Sequence, residues 1–468
     1  MEIPSGAKQI IETLESHGHE AYIVGGCVRD MLLERVPEDW DITTSAKPED
    51  VKALFRRTVD TGIEHGTVTV LIGDDGFEVT TYRMDGIYED HRHPKEVTFT
   101  PKLEEDLKRR DFTINAMAYN EKNGLIDLFG GRDDLKLGII RCVGDPMKRF
   151  EEDALRMLRG IRFAGQLLFS IEESTLDAIR ELAPTIKNIS AERIRVELTK
   201  LLISDGADRL RLACETGLTG YVLPEFDAML RCEQNNPHHC YSVGEHSLVV
   251  VAGINRSLKE MREDGSVDET DVIIDKKHHI ALAFAALLHD VAKPERRTTD
   301  EQGIDHFHGH DVRGEEMAED ILRRLKFDND TIRLVKTLVR WHDVRYASSV
   351  EGKGRRAMRR LMNRVGRDTM PFLFLLQRAD ILAQSKYQQS EKLLVLKAGE
   401  NCYREICEAK DAVTIAELAV TGRDLIDEKG YSSGPAIGAE LSRLLELVME
   451  DPSRNERERL LAEVRPPE

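Results

Sequence analysis

The amino-acid sequence predicts an α+β protein, in which a small mixed region of strands and helices is followed by a long, mainly helical part. Up to about residue 137, short apolar runs with strand periodicity alternate with helical patterns, and the sequence beyond residue 390 is helical and charged. A composition of 41% hydrophobic and 32% charged residues is typical of a well-folded, helix-rich chain. With 468 residues, the chain is long enough for roughly three domains of about 100–200 residues each.

The amino-terminal region is predicted to alternate helices with strands. Helices are expected at Lys8–Ser16, Val28–Leu33 and Pro48–Phe55, and strands at Ala21–Val24, Thr67–Ile72, Phe77–Tyr82 and Glu96–Thr100. The first strand leads into a turn formed by Gly25 and Gly26, which opens the next helix. Backbone N–H groups at a helix start can receive a phosphate, so this turn is a candidate anion site.

Two carboxylates one residue apart follow this helix. In an extended strand, Asp39 and Asp41 point to the same face, while Trp40 points to the other. Two hard oxygen donors facing a cleft suit a Mg²⁺ ion that also holds the phosphates of a substrate. Glu78 shares a strand face with Thr80 and is a candidate third acid. A solvated loop for the Asp pair, and an exposed strand residue for Glu78, are the alternative interpretations.

Several further motifs follow in a fixed order along the chain. They are the Gly-Gly-Cys-Val-Arg-Asp run at 25–30, Asp-Trp-Asp at 39–41, Arg-Arg-Asp-Phe-Thr-Ile-Asn-Ala at 109–116, Glu-Asp-Ala-Leu-Arg-Met-Leu-Arg at 152–159, Glu-Arg-Ile-Arg-Val-Glu at 192–197, and runs at 421–425 and 434–438. This order resembles the class II tRNA nucleotidyltransferases, the CCA-adding family within the DNA polymerase β-like superfamily. Bacterial poly(A) polymerases share the same head.

The resemblance implies roles for individual residues of the head. Asp39 and Asp41 are the implied Mg²⁺ ligands for transfer of a nucleotide to an RNA 3′-hydroxyl, with Glu78 as the candidate third acid. The candidate nucleotide-binding residues are Gly25, Gly26, Arg29, Arg110, Asp111, Asn115, Asp153, Arg156, Arg159 and Arg162. Arginine forks suit phosphate oxygens. A purely structural pairing of Arg110 with Asp111 is the alternative.

Asp153 and Arg156 form a candidate template for base choice. Helical spacing (i, i+3) is expected to put both side chains on one face. Cytosine and adenine each present an amino donor beside a ring-nitrogen acceptor, which a carboxylate and an arginine can match. Uracil or guanine would leave these groups unpaired, a mismatch that can reduce use of the wrong base on the order of 10⁴-fold. A surface ion pair is the alternative.

The segment from Tyr82 to Pro94 corresponds to a loop that the family associates with addition of A. This sequence keeps the loop but carries His93 where the family commonly has arginine, so the role of that position is in doubt. An ordinary polar hairpin is the alternative.

A second constellation lies in the middle of the chain. The run Leu-Leu-His-Asp-Val-Ala-Lys-Pro at 287–294 resembles the HD phosphohydrolase superfamily. The resemblance implies a primary metal set of His246, His289, Asp290 and Asp380, with His310 and His342 available for a second ion. Imidazole and carboxylate ligands suit Mn, Ni, Fe, Zn or Mg, so the identity of the metal is open. Buried structural histidines are the alternative. The run at 238–240 with Cys232 fits no common zinc spacing and is interpreted as a loop.

The resemblance also implies a domain plan and a function. The plan is a nucleotidyltransferase head (1–137), a helical neck and body (138–237), an HD metal-binding domain (238–390) and a helical, tRNA-binding tail (391–468). The implied function is addition of CCA to tRNA with CTP and ATP, together with HD-dependent hydrolysis in RNA 3′-end repair. A poly(A) polymerase or an A-only-adding enzyme, a phosphohydrolase with a degenerate head, and a non-catalytic RNA-binding protein are the alternatives.

Composition excludes some classes of protein. The longest apolar run, at 280–288, is much shorter than the roughly 20 residues of a membrane span, and the first residues lack the pattern of a signal peptide. Seven cysteines without a C-x-x-C pair argue against a disulfide scaffold. A cytoplasmic location is expected. The net charge of −18 does not exclude RNA, because local patches decide binding; basic clusters occur at 108–110, 156–162 and 355–364. The oligomeric state is left open.

Overall fold

The computed structural model describes residues 2–85, 97–263, 274–346 and 353–466. The chain divides into two compact units, Met1–Asp227 and Ala228–Glu468. The first unit contains the main sheet and the second is almost entirely helical. The predicted α+β class is therefore confirmed.

Eleven short strands occur in the described part of the first unit. They are β1 (Ala21–Val24), β2 (Ile42–Thr44), β3 (Thr58–Gly62), β4 (Thr67–Ile72), β5 (Asp75–Thr81), β6 (Arg83–Asp85), β7 (Val97–Phe99), β8 (Met117–Asn120), β9 (Gly124–Asp127), β10 (Ile139–Ile140) and β11 (Ser170–Ile171). Seven of them form one sheet in the order β3-β4-β5-β2-β1-β8-β9. In this sheet the pair β2–β5 is parallel and the other neighbours are antiparallel.

This topology brings three chain segments to one end of the sheet. Because β1 is antiparallel to both β2 and β8, the end of β1 lies beside the start of each neighbour. The Val24 N–H donates to the Asp41 carbonyl (2.9 Å), and the Gly25 N–H donates to the Met117 carbonyl (3.2 Å). The glycine turn, the Asp pair and the segment before β8 are thus neighbours.

Helices surround the sheet and continue the unit. They are α1 (Ser5–Ser16), α2 (Gly26–Leu32), α3 (Pro48–Leu54), α4 (Leu103–Lys108), α5 (Gly131–Leu137), α6 (Pro146–Glu152), α7 (Leu155–Leu167), α8 (Glu173–Leu182), α9 (Ala191–Leu202), α10 (Leu210–Glu215), α11 (Thr219–Val222) and α12 (Pro224–Arg231), the last containing the division between the units. One core cluster joins sheet residues such as Tyr22 and Ala118 to Leu103 and Leu107 of α4.

Most of the predicted head elements are present, with small shifts at their ends. Strands β1 and β4 have the predicted bounds, β5 begins two residues earlier than predicted, and β7 is shorter. The alternation in β5 is confirmed, since Phe77 and Val79 are buried while Glu78 is exposed. Strands β2, β3, β6 and β8 to β11 were not predicted, and Asp39 and Asp41, expected in an extended strand, lie just before β2.

The second unit is built from helices and one two-stranded ribbon. Its elements are α13 (Val243–Glu263), α14 (Lys276–Leu288), α15 (Lys293–Arg296), β12 (Thr298–Thr299), β13 (Asp305–His306), α16 (His310–Arg324), α17 (Asn329–Trp341), α18 (Lys353–Val365), α19 (Met370–Ala383), α20 (Gln389–Glu408), α21 (Gly422–Lys429), α22 (Pro435–Glu450) and α23 (Arg457–Glu463). The apolar run at 281–288 is buried throughout, as expected for a helix without a polar face. Within the described ranges, no helix combines the length and apolar character that crossing a membrane requires.

Candidate functional sites

The acidic residues of the head gather at the end of the sheet where the glycine turn lies. Asp41 immediately precedes β2, and the β2–β5 register pairs Ile42 with Val79. One step back along both parallel strands, Asp41 and Glu78 are therefore neighbours on the same face. Desolvation and the negative charges of Glu78 and Asp39 raise the pKa of Asp41, while the positive charge of Arg110 opposes this.

This concentration of hard oxygen donors fits a divalent cation such as Mg²⁺, because a cation would relieve the repulsion among the carboxylates. Their oxygens are not tightly gathered. In the ranges that the structure describes, the trios of possible ligands whose donor atoms lie within 4.8 Å of one another all belong to the second unit.

Gly25 and Arg110 fit each other closely at the turn. Gly25 has φ +80°, and a Cβ at this residue would lie 2.9 Å from Arg110 Nη1. Arg110 Nη2 lies 3.5 Å from Asp106 Oδ2, and Arg110 Nε is buried without a hydrogen-bond partner among the described residues. Arg110 is thus paired with Asp106 rather than with Asp111, and its guanidinium has unused capacity beside Gly25 and Asp41.

A hydrogen-bonded chain connects four of the predicted nucleotide residues. Arg29 donates Nη1 to Asn115 Oδ1 (2.8 Å) and Nε to Asp30 Oδ1 (2.9 Å). Asn115 donates Nδ2 to Asp111 Oδ1 (3.4 Å). Asp111 Oδ2 accepts from Arg159 Nε (2.8 Å). The structure therefore brings together α2, the turn before β8, and α7.

The charged groups of this hydrogen-bonded network have oppositely charged partners within the protein. Burial opposes ionisation of Asp111, but the charges of Arg159 and Arg156 lower its pKa to about 2. Arg162 pairs with Glu197 at 2.8 Å, and its guanidinium carbon lies 4.0 Å from the centre of the Phe163 ring. Arg159 and Arg162 thus already have carboxylate partners.

The prediction that Asp153 and Arg156 lie on one continuous helix is wrong. Asp153 has an extended backbone (φ −144°, ψ 103°) between α6 and α7, and its Oδ1 accepts from the Leu155 N–H (3.1 Å). The helix is interrupted here because the Asp153 side chain accepts a hydrogen bond from a backbone N–H group in the first turn of α7. Its carboxylate pairs with Arg193 Nη2 (2.7 Å).

Arg156 lies in the first turn of α7, and residues that precede this helix in the sequence bind its guanidinium. It pairs with Glu152, and its guanidinium donates to the carbonyls of Arg149 (3.1 Å) and Arg109 (3.0 Å). Glu152 also pairs with Arg149. The two candidate template residues are therefore each oriented by a separate partner.

The predicted loop between Tyr82 and Pro94 is described only at its start. The strands β6 and β7 on either side pair with each other, with Arg83 opposite Phe99. Residues 86–96, including His93, lie outside the described residues.

The six candidate metal ligands of the second unit come together from five helices or helix ends. His246, His289 and Asp380 form one trio, and Asp290, His310 and His342 form another. His246 Nε2 lies 2.8 Å from Asp380 Oδ1. We name these six residues the HD cluster.

Asp290 connects the two trios. Its Oδ2 lies 3.2 Å from His289 Nε2, and its Oδ1 lies 3.4 Å from His310 Nε2 and 3.5 Å from His342 Nε2. This differs from the predicted grouping, which put Asp290 with the first set alone. A carboxylate facing both sets can bridge two metal ions.

The orientation of the imidazole rings fits metal binding. The Nδ1 atoms of His289, His310 and His342 lie 2.8, 2.8 and 2.7 Å from backbone carbonyl oxygens, which can only accept. In a neutral ring this leaves the Nε2 lone pair facing the cluster, as in metal-ligating histidines. His289 Nε2 is buried without a hydrogen-bond partner in the described part of the chain.

The charges of the cluster favour a positive charge within it, either as a proton on an imidazole or as a metal ion. Burial opposes the charge on Asp290, but the charges of His289 and Lys293 hold its pKa well below the usual range. Burial also opposes protonation of His342, yet its hydrogen bond to Asp290 raises its pKa to about 9. Asp290 and Asp380, whose pKa values are both lowered, thus form with the imidazoles a site that favours positive charge.

Sequence reasoning missed three residues beside this cluster. Lys293 is buried, with Nζ 2.7 Å from Asp290 Oδ2 and 2.8 Å from Gln234 Oε1. The ring of His239 packs edge-on against His246, with centroids 5.1 Å apart, although this segment was interpreted as a loop at a domain boundary. Lys392 interacts with Gln384, which binds Asp380. The adjacent residues His238 and His239, just before α13, were the sequence signal that could have indicated His239.

One basic cluster is largely neutralised inside the unit. On α18, Arg359 is buried against Asp411 (2.9 Å) and Arg360 pairs with Glu446 of α22 (3.0 Å). Arg356 pairs with Glu450 (3.6 Å). Three of the five arginines at 355–364 therefore have acidic partners within the unit.

Comparison with known families agrees with this arrangement. Residues 21–141 match the family "Poly A polymerase head domain", residues 168–230 match the "Probable RNA and SrmB-binding site of polymerase A", and residues 298–464 match the "tRNA nucleotidyltransferase domain 2" family.

Individual relatives cover the chain to different extents. The CCA-adding enzyme of Lactobacillus helveticus (strain DPC 4571) is 56% identical over 195 residues, which are 42% of this chain and 49% of that protein. The chain thus matches about half the length of this relative. The CCA-adding enzyme of Enterococcus faecalis (strain ATCC 700802 / V583) is 36% identical over 461 residues, 97% of this chain and 94% of that protein.

Solved structures share the fold over nearly the full chain. The Bacillus stearothermophilus CCA-adding enzyme, solved in complex with CTP, has a TM-score of 0.68 at 30% identity and covers 99% of this chain and 97% of its own. The Thermotoga maritima CCA-adding enzyme, complexed with tRNA, shares the fold with a TM-score of 0.57 at 19% identity, over 98% and 95% of the two chains. The chain belongs to the CCA-adding enzymes, a family of tRNA nucleotidyltransferases.

Proposed function

We propose that this chain adds the sequence CCA to the 3′ end of tRNA, using CTP and ATP, at the head site formed by Asp39, Asp41 and Glu78. The observation that carries the proposal is the meeting of this acidic group with the Gly25 turn and Arg110 at one end of the sheet. The full-length relatedness to the E. faecalis enzyme and the CTP complex of the B. stearothermophilus relative support it.

Different residues of the head have different roles in the proposed reaction. Asp39 and Asp41 would hold Mg²⁺, which when bound neutralises the phosphates and activates the attacking 3′-hydroxyl. Arg110 faces the turn, its Nε has no hydrogen-bond partner among the described residues, and its guanidinium can bind phosphate oxygens. Gly25 leaves the space that this guanidinium occupies.

Base choice is proposed to depend on Asp153 and Arg156. The Asp153 carboxylate is oriented by its pair with Arg193, and a carboxylate accepts hydrogen bonds. This matches the exocyclic amino group of cytosine or adenine and leaves the carbonyl oxygen of uracil or guanine unpaired. One pair of side chains can therefore accept both correct bases.

The direct test of the site replaces one carboxylate without changing its shape. Asp41→Asn is expected to reduce nucleotide transfer by at least about 10³-fold, because it removes charge that holds the metal ion. Binding of tRNA should stay close to that of the wild type, measured by filter binding. Asp74→Asn, at an exposed turn in the same unit, is the control. Full transfer activity in Asp41→Asn would contradict the assignment.

A second activity is proposed for the HD cluster, namely metal-dependent hydrolysis of a phosphate ester in RNA 3′-end repair. The supporting observation is the inward orientation of the Nε2 atoms around a shared Asp290. The residues that would hold metal are His246, His289 and Asp380 on one side and Asp290, His310 and His342 on the other. Bound metal would polarise the phosphate and lower the pKa of a water molecule.

Metal content tests this second proposal without any assay of activity. After incubation with Mn²⁺ and removal of excess ion, elemental analysis is expected to find up to two ions per chain. His289→Ala should lose at least one of them, whereas His278→Ala, in the same helix but outside the cluster, should lose none. An unchanged metal content in His289→Ala would refute the site.

A further inference from the structure

Lys392 lies beside the HD cluster but is not part of it. Its Nζ lies 3.2 Å from His238 Nδ1 and donates to Gln384 Oε1. Gln384 in turn donates Nε2 to both carboxylate oxygens of Asp380, each at 3.1 Å. A single amide side chain therefore separates this ammonium group from a candidate metal ligand.

The charge of Lys392 is not neutralised by an acid of the described chain. Within the described ranges, the polar partners of its Nζ are the imidazole and the amide, and no carboxylate lies within 4.0 Å. Lys293, in contrast, is buried and paired with Asp290 at 2.7 Å. A half-buried cation with neutral partners is stabilised when an anion joins it, because removing a charge from water is costly unless a partner compensates.

Charges of both signs surround Lys392. Burial, together with the nearby charges of Arg345 and Lys293, lowers the pKa of Lys392, although Asp380 and Asp343 act in the opposite direction. Metal ions in the cluster would offset the negative charges of Asp290 and Asp380. With metal bound, the charge around Lys392 would therefore favour an anionic ligand.

The partners of Lys392 are fixed by the backbone around them. Ser385 donates its N–H to the His238 carbonyl (2.9 Å) and its hydroxyl to the Pro237 carbonyl (2.5 Å). The His238 ring lies edge-on to Tyr387, with centroids 5.0 Å apart. These contacts connect the segment at 236–240 to the turn before α20. They therefore fix the position of His238, one of the partners of the Lys392 ammonium group.

We propose that Lys392 binds the phosphate group of a phosphate monoester at the HD cluster, and that Gln384 positions the Lys392 side chain. This assignment rests on the proposed metal centre. The terminal phosphate of a monoester carries a charge of about −1.5 to −2 near neutral pH. Bound metal ions and Lys392 would together compensate this charge. A diester, with a single negative charge, uses this arrangement less well.

Inorganic phosphate is the probe that tests the proposal. Binding of phosphate to the full-length, Mn²⁺-loaded protein is measured by calorimetry, and bound metal is measured on the same samples. Lys392→Ala should weaken phosphate binding about tenfold or more, as expected for loss of a charge-assisted hydrogen bond, with no change in bound metal. Lys392→Arg should keep most of the affinity. Lys397→Ala, on the exposed side of the same helix, is the control.

Each other outcome rejects a specific part of the account. Phosphate affinity of Lys392→Ala within about twofold of the wild type would overturn the assignment of Lys392. Loss of bound metal in this variant would show that Lys392 supports the cluster instead of binding phosphate. A larger effect on hydrolysis of bis(4-nitrophenyl) phosphate than of 4-nitrophenyl phosphate would make the ligand a diester. Absence of bound metal in the wild type would reject the metal centre itself.

Discussion

Gly25 is a position where two separate constraints require glycine. Its φ of +80° lies in the left-handed region, and a Cβ would lie 2.9 Å from Arg110 Nη1. The first constraint affects stability, and the second affects the guanidinium that faces the acidic group. Separating the two requires another glycine with similar backbone conformation and no close neighbour.

Gly18 supplies that comparison, since it has φ +85° and no atom of the described residues lies within 4 Å of its ideal Cβ. Gly25→Ala and Gly18→Ala are both expected to lower the free energy of unfolding by about 1–3 kcal/mol through backbone strain. Only Gly25→Ala should also weaken CTP binding and slow transfer, because Arg110 must move. Thermal unfolding and nucleotide titration measure the two effects. Equal nucleotide affinity in both variants would show that Arg110 tolerates the methyl group.

Residue identities were more predictable than residue partnerships. The face on which Glu78 lies could be predicted from strand periodicity, whereas Asp39 and Asp41 precede β2 and were identified from their motif. The pairing of Arg110 with Asp106 could not be foreseen, since Asp111 is adjacent in sequence but turns toward Arg159 in the fold. Such choices depend on how distant segments pack.

At the scale of elements, the junction of α6 and α7 was mispredicted and the reason is local. Asp153 was assigned to a helix because its neighbours are good helix formers. Asp is also a strong helix N-cap, however, and here its side chain accepts from the Leu155 N–H. The hairpin of β8 and β9 was also missed. Its three-residue loop, 121–123, leads into Gly124, whose φ of +71° is the left-handed conformation typical after such loops.

Helix α9 provides charged partners for Asp153 of the candidate template and for a residue of α7. Arg193 pairs with Asp153, and one turn later Glu197 pairs with Arg162. Arg193→Lys keeps the charge but loses the two-pronged contact, so the Asp153 carboxylate should be less well oriented. We expect Asp153→Ala to reduce the preference for CTP over UTP on the order of 10²-fold or more, and Arg193→Lys to reduce it about tenfold, both in kcat/KM.

A double-mutant comparison separates positioning from general damage. If Arg193 acts through Asp153, Arg193→Lys should change little in an Asp153→Ala background. Arg180→Lys, which alters a mostly exposed pair with Asp177 on α8, is the control. Unchanged rejection of UTP in Asp153→Ala would remove the template from the account.

At the scale of the whole molecule, the chain combines two kinds of site in two compact units. The unit ending at Asp227 contains the sheet with the candidate transfer site, and the unit beginning at Ala228 contains the HD cluster. The order of motifs predicted both sites, because each motif resembles a family signature. The distribution of charge was harder to predict. The net charge is −18, and arginines on α18 that could have faced RNA are partly paired with acids of α22.

The sequence of the product tests the central claim most directly. A tRNA ending in its discriminator base is incubated with CTP and ATP, together and separately, and the new 3′ ends are sequenced. The account predicts C-C-A with both nucleotides, C-C with CTP alone, and no growth beyond the Asp41→Asn background with ATP alone. Growth of only a CC-ended tRNA would show an A-only adder, and long A tracts would show a poly(A) polymerase; either result would contradict the account.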